Sequence, residues 1–269
     1  MEWYEAIILG LIQGLTEFLP VSSSGHLVIG RELLGVEAAE DLTFEVVVHA
    51  ATVLSTLVVF RKEIWTLLKG FFKFKYNDET DYLLKIGVSM IPIFIVGVFF
   101  KDYVEAMFGS ITAVAVALLV TAALLFSSDY ISKFIKSKKG SKPIARNGIS
   151  YWQALVVGLS QAVAVVPGLS RSGTTISTGL ITGVSRSVMA QFSFLMVLIP
   201  ILGETFLQIV GGELVASSVA GLPLFLGFLS AFLSGLFACK VMIALVKRAK
   251  LSWFALYCTL LAIIIFIYA

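Results

Sequence analysis

The chain is divided into apolar runs of roughly 17 to 22 residues, the length a helix needs to cross the hydrocarbon core of a bilayer. Six segments have this character: Phe44 to Phe60, Leu83 to Phe100, Ile111 to Ser127, Ala190 to Val210, Val219 to Cys239 and Leu251 to Tyr268. Strands of a membrane barrel would instead alternate apolar and polar residues over about ten positions, and no such alternation is present. Composition agrees, with 58% of the 269 residues hydrophobic and 14% charged, against about half and about a quarter in a soluble domain. The fold class that follows is an all-α integral membrane protein. Trp3, Trp65, Trp152 and Trp253 stand near the ends of apolar segments, where interfacial rings anchor a span. A net charge of +3 is too small to argue for nucleic acid, so no such partner is expected. Cys239 and Cys258 fall inside apolar runs and show no metal or redox spacing, which makes them small core residues. No basic region precedes the first apolar stretch, so no cleavable signal is expected.

Two further segments, 5–34 and 152–184, are apolar but broken. Each has a helical stretch of about fifteen residues, then a Pro/Gly/Ser cluster, then a shorter helical stretch. The first arm reaches roughly 22 Å, short of a full crossing. Non-helical backbone is tolerated at membrane depth only where protein or a wet cavity surrounds it. Both segments therefore read as re-entrant hairpins. They also match each other: AIILGLIQGLTEFLPVSSSG from Ala6 aligns with ALVVGLSQAVAVVPGLSRSG from Ala154. Gly10 falls on Gly158, Gln13 on Gln161, Ser22 on Ser170, Ser24 on Ser172 and Gly25 on Gly173, all at an offset of 148. The same offset carries the first full span onto the fourth. The chain reads as one membrane domain built by duplication, with repeat one over 1–130, a linker over 131–149 and repeat two over 150–269.

Three spans per repeat is an odd number, so the second repeat enters the bilayer inverted. The basic residues agree with that arrangement. With the loop from Arg61 to Lys85 placed in the cytoplasm, most Lys and Arg fall on that side, including Lys73, Lys75, the run from Lys133 to Lys142, Arg186 and Lys247 to Lys250. The opposite side receives Arg31 and Lys101 among acidic neighbours such as Glu37, Asp41, Asp102 and Glu213. This is a positive-inside asymmetry. It puts both termini and the mouth of the first hairpin outside, with the second hairpin entering from the cytoplasm. The basic run from Lys133 reads as a loop attracted to lipid headgroups.

Inverted repeats with broken helices gather their special residues near the midplane, between the halves. Glu17 and Arg171 are ionisable at that depth, and such residues are functional candidates by default. Gln13 lies four residues before Glu17, on one helix face. Together they offer hard oxygen ligands for a divalent cation, Mg²⁺ or Ca²⁺. Arg171 offers a planar fork for phosphate oxygens. Ser170, Ser172, Thr174 and Thr175, at the start of a resumed helix, add hydroxyls and free backbone N–H groups. Ser22 and Ser24 do so in the first hairpin. Ser23 or His26 can attack phosphorus, or His26 can protonate a leaving oxygen, and sequence alone leaves that choice open. Gly10 and Gly14 read as positions of close helix packing. His49 reads as a hydrogen-bonded interior residue, and no role is read for Glu204. The chemistry suggested is phosphoryl transfer.

The stretches LGLIQGLTEFLPVSSSGHL and PGLSRSGTTIS resemble the hallmark segments of the undecaprenyl-pyrophosphate phosphatase family associated with bacitracin resistance. The resemblance covers essentially the whole chain. It implies hydrolysis of undecaprenyl pyrophosphate to the monophosphate carrier and phosphate, with a divalent cation, in a bacterial inner membrane. Carried over by motif position, the acidic residue is Glu17, its partner Gln13, and the serine and histidine Ser23 and His26. The phosphate-binding set is Ser170, Arg171 and Thr175. The first member of the family's Glu/Gln pair is Gln in this chain. The acid-phosphatase type of lipid phosphatase differs, because a catalytic histidine follows its downstream Ser-Arg and none follows Arg171. A lipid-phosphate flippase or anion transporter is the rival on this architecture. Glu17 beside His26 favours hydrolysis, since a carrier has no use for an attacking group. A homodimer is left open.

The charge asymmetry generates a test of topology. A cysteine introduced at Glu37 should be labelled by an impermeant reagent in intact cells, and one at Ser141 should be protected. Labelling of both from the same side would end the inverted arrangement.

Overall fold

The computed structural model describes residues 1–36, 41–100, 111–138, 146–210, 221–248 and 250–268. Glu37, Lys101, Asp102, Lys142 and Glu213, which enter the charge asymmetry, and Ser141 lie outside the described residues, as do the side chains of Asp41, Glu204 and Lys247. Regular structure among the described residues is helical. The helices are α1 (Trp3–Thr16), α2 (Ser23–Leu34), α3 (Asp41–Val59), α4 (Arg61–Phe71), α5 (Asp78–Phe99) and α6 (Ile111–Lys138), followed by α7 (Tyr151–Val163), α8 (Arg171–Ile181), α9 (Arg186–Val210), α10 (Gly221–Arg248) and α11 (Ser252–Tyr268).

The helix starts are written in local chemistry. Ser22 caps α2 by accepting from the Gly25 N–H at 3.2 Å, and Ser170 caps α8 by accepting from the Gly173 N–H at 3.1 Å. Asn77 caps α5 through the Thr80 N–H, and Ser150 caps α7 through the Gln153 N–H. Each cap satisfies one backbone donor that the helix cannot satisfy itself. Gly35 ends α2 in the left-handed region with φ of 69°, a conformation that glycine adopts without steric cost.

Several helices outrun the apolar segments that announced them. α5 begins at Asp78 rather than Leu83, α6 runs to Lys138 into the expected linker, and α10 continues to Arg248. Hydrophobicity reports the hydrocarbon thickness, whereas helical hydrogen bonding carries on into the polar zone. The stretch from Arg61 to Lys85 is not a simple loop. α4 leaves α3 at a bend of 74° and exposes Trp65, Leu68 and Phe71 beside Lys62 and Lys69, the composition of a helix lying in a membrane interface. Among the described residues four helices are long and apolar enough to cross a membrane, five if the bent α3–α4 pair is one span, while α11 is apolar but shorter.

Lys85, placed by its charge in a cytoplasmic loop, is in fact a buried member of α5. It donates to Asp81 at 2.6 Å and to the Arg146 carbonyl at 2.7 Å, with both side chains 2% exposed. Asp81 also accepts from Tyr76, Tyr151 and Asn147. Buried charges survive when paired and fully hydrogen-bonded, and this cluster fastens the entrance of α7 to α5. Arg186 likewise pairs with Asp129, whose other oxygen accepts from the backbone and hydroxyl of Ser252.

The two broken segments pack crosswise. α1 packs mainly on α10, and α7 packs on α5, while α6 holds both α8 and α11. Small residues allow these approaches, because a Cβ added at Gly10 would sit 2.4 Å from the Gly227 carbonyl oxygen. One added at Gly158 would sit 2.3 Å from the Ser89 oxygen. Cys239 and Cys258 are buried free thiols. On the outside, Phe94, Phe126, Phe237 and Ile267 stand exposed, as residues facing lipid do.

Overpacking predicts that Gly10→Ala and Gly158→Ala each destabilise the protein by about 1–3 kcal/mol. Gly87→Ala, with nothing within 4 Å of the added methyl, should be neutral or slightly stabilising. Thermal unfolding of the three variants in detergent checks this ordering.

Candidate active site

The tips of the two broken segments meet. Ser172 donates to the Leu19 carbonyl at 3.1 Å, and the Gly168 N–H points to the Ser24 hydroxyl at 3.5 Å. Gly168 has φ of 85°, and an added Cβ would lie 2.7 Å from the Val114 Cα. Only glycine fits that turn, which lets the second tip seat on α6. The Ser170 N–H is held there by Thr121 at 3.0 Å.

Glu17 follows the last turn of α1, with its side chain 9% exposed. Its Oε2 accepts from Ser23 Oγ at 2.5 Å and from Gln13 Nε2 at 2.9 Å. His49 Nε2 lies 3.9 Å from the same oxygen, while its Nδ1 donates to the Glu45 carbonyl at 2.8 Å. A narrow cavity opens beside this cluster, lined by Glu17, Gln161, Arg171, Ser172, Ser193 and the α3 threonines Thr52 and Thr56, with Phe18, Phe194 and Val197 as apolar wall. Arg171 begins α8, and among the described residues its guanidinium makes no ion pair within 4.0 Å. A carboxylate, a hydroxyl and a guanidinium therefore converge on one small space, brought from opposite halves of the chain.

The other expected residues fall around this space rather than in it. Ser22 and Ser170 spend their hydroxyls capping helices. Ser24 approaches Ser22 at 3.4 Å. Thr175 is buried, donating to the Arg171 carbonyl at 2.9 Å and meeting Ser193 Oγ at 2.7 Å, so it braces the first turn of α8. Thr174 is buried with its hydroxyl unpartnered. His26 turns toward α11: Nδ1 donates to the Ser22 carbonyl at 2.7 Å, and Nε2 meets the Tyr257 hydroxyl at 2.6 Å with the rings stacked. That donation fixes Nε2 as the basic nitrogen.

Hard oxygens at the site are the Glu17 carboxylate and Gln13 Oε1, which is buried without a partner. Among the described residues no cluster of three or more His, Cys, Asp and Glu side chains forms a metal site. Such a donor set suits a cation that takes most of its ligands from substrate phosphates and water, as Mg²⁺ commonly does.

Sequence reasoning missed several neighbours, the α3 threonines Thr52 and Thr56 among them. His49 was visible as an ionisable residue within a span, but nothing local placed it against Glu17. Gln161 was visible as the mate of Gln13. Ser193 and Tyr257 carried no signal, since their roles arise from contacts with segments far away in the chain.

Comparison with known proteins adds an independent line. Residues 6–264 match the family model described as bacitracin resistance protein BacA. An undecaprenyl-diphosphatase of Bacteroides fragilis is 54% identical over 268 residues, covering 98% of this chain and 97% of that protein. One from Bacteroides thetaiotaomicron is 55% identical over 271 residues, covering 98% and 99%. A more distant undecaprenyl-diphosphatase, from Halothermothrix orenii, is 37% identical over 270 residues and covers 100% and 99%.

Proposed function

This chain belongs to the bacitracin resistance protein BacA family, and we infer from that membership and from the site that it is an undecaprenyl-diphosphatase. It hydrolyses undecaprenyl pyrophosphate to undecaprenyl phosphate and inorganic phosphate, recycling the lipid carrier for cell-wall synthesis and conferring bacitracin resistance. The observation that carries the catalytic assignment is the 2.5 Å bond from the Ser23 hydroxyl to Glu17, within reach of a cavity that Arg171 shares.

In this reading Glu17 accepts the Ser23 proton as Ser23 Oγ attacks the terminal phosphorus. The bond from that phosphorus to the bridging oxygen breaks, and undecaprenyl phosphate leaves with the bond's electron pair. Water then attacks the phosphoserine phosphorus, the bond to Ser23 Oγ breaks, and Glu17 returns its proton to that oxygen, which gives inorganic phosphate and restores both the hydroxyl and the carboxylate. Arg171 binds the phosphate oxygens and neutralises charge as the transition state spreads it over them. His26, with Nε2 basic and tied to Tyr257, first takes up a proton there and then acts as the acid that protonates the departing phosphate. A divalent cation, Mg²⁺ or Ca²⁺, held by Glu17 and Gln13, would offset the pyrophosphate charge. Ser22, Ser24, Ser170, Ser172, Thr174 and Thr175 shape and brace the phosphate-binding tips.

For topology we propose six spans and two re-entrant hairpins in an inverted duplication, in the bacterial inner membrane. Both termini then lie on the periplasmic side, with the site near the outer half of the bilayer. Support comes from the offset of 148, which relates 3–16 to 151–163 and 23–34 to 171–181, and from the crosswise packing of α1 on α10 and α7 on α5. The loop charge asymmetry supports it as well.

Glu17→Gln keeps shape and hydrogen bonding but removes charge, and should lower the rate of phosphate release at least about a hundredfold, roughly 2.7 kcal/mol of transition-state stabilisation. If Glu17 merely offset Arg171, removing both charges together would restore activity that either single change loses. Phosphate release by the single and double variants across a Mg²⁺ titration decides, and recovery in the double variant would sink the catalytic assignment.

Arg171→Lys should also lose most activity despite keeping the charge, because the two-pronged geometry is gone. Near-wild-type turnover with monodisperse extraction would make Arg171 a structural cation.

A further inference from the structure

The duplication places Gln13 and Gln161 at the same point of the two broken segments, yet their surroundings differ. Gln13 donates to Glu17, four residues on. The position four residues after Gln161 is Val165, which offers nothing to bind. Gln161 is fully buried, and neither its Nε2 nor its Oε1 has a hydrogen-bond partner. It nevertheless lines the cavity shared by Glu17, Arg171 and Ser172.

An amide buried with both ends unpaired is costly unless something outside the fold completes it. Rotation of α7 does not relieve it, because Gly158, one turn earlier, is pressed against the Ser89 backbone. Gln161 is thus held in the wall of the cavity with its amide still unpartnered. A neutral carboxamide suits that place: it donates to an anion without adding negative charge beside Glu17, and its oxygen accepts from a protonated phosphate or a bound water.

We propose that Gln161 is a phosphate-binding residue of the second repeat. Its Nε2 donates to a non-bridging oxygen of the phosphate that Arg171 neutralises, and its Oε1 accepts from the P–OH of the inorganic phosphate product. This rests on the phosphatase reading for its natural ligand, and adds that the two glutamines have separate duties. Gln13 serves the carboxylate, while Gln161 serves the phosphate.

The test measures direct binding of inorganic phosphate to purified full-length protein in detergent, for the wild type and for Gln161→Met, which keeps volume and removes the amide. The expected result is about tenfold weaker phosphate binding, a matching rise in KM for undecaprenyl pyrophosphate, and thermal stability equal to or above wild type. Gln161→Glu, which sets a negative charge against the anion, should bind phosphate more weakly still. Equal affinity in wild type and Gln161→Met, or no phosphate binding by the wild type, would overturn the assignment. Phosphate release from undecaprenyl pyrophosphate by the wild type is scored separately. Its absence counts against the phosphatase reading, while the binding comparison still decides the role of Gln161.

Discussion

Unpaired backbone inside an apolar surround is the constraint on which this structure turns. A broken helix leaves N–H and C=O groups that an apolar surround cannot satisfy, and at the breaks between α1 and α2 and between α7 and α8 protein groups take up several of them. Ser22 and Ser170 cap the resumed helices, Thr121 receives the Ser170 N–H, and Ser172 reaches across to the Leu19 carbonyl. Once the two breaks are pressed together to satisfy each other, polar side chains follow them into the interior. The site is a consequence of closing that hydrogen-bond deficit.

The two tips are similar in sequence and complementary in charge. Where the first carries Glu17 and Ser23, the second carries Val165 and Arg171 at the same offset. An acid and a hydroxyl thus face a cation, instead of two acids or two cations facing each other in a low-dielectric space. The separation of Glu17 from Arg171 by the cavity matters as well. A tight ion pair would neutralise both groups, whereas a gap between them leaves each able to act on a phosphate placed there.

Away from the site, two polar clusters built on the buried Asp81, Lys85 and Asp129 hold the scaffold. Lys85, Asp81, Tyr76, Tyr151 and Asn147 tie the start of the second half to α5. Asp129 with Arg186 and Ser252 joins α6, α9 and α11. Such pairs are poor net stabilisers but expensive to break, so they fix register between helices that apolar contacts alone would let slide. Glycines do the complementary work, where Gly10 and Gly158 let α1 and α7 touch the backbones of α10 and α5.

Much of this was legible from residue order alone, because the relevant physics is local. The length of apolar runs reports the bilayer, Pro20 and Pro167 mark the breaks, and Ser-x-x-Gly at both tips announces the caps. Glu17 and Arg171 declare themselves by being ionisable where charge is costly. Local pattern failed where a residue's role depends on what another segment brings to it. Lys85 looked like a loop charge until Asp81 and the Arg146 carbonyl enclosed it, and His49 and Ser193 came to the site only through the packing of α3 and α9 around the tips. The linear chain determined which groups would need partners. Tertiary packing, by bringing together elements more than a hundred residues apart, decided which partners they received, and it left the amide of Gln161 without one.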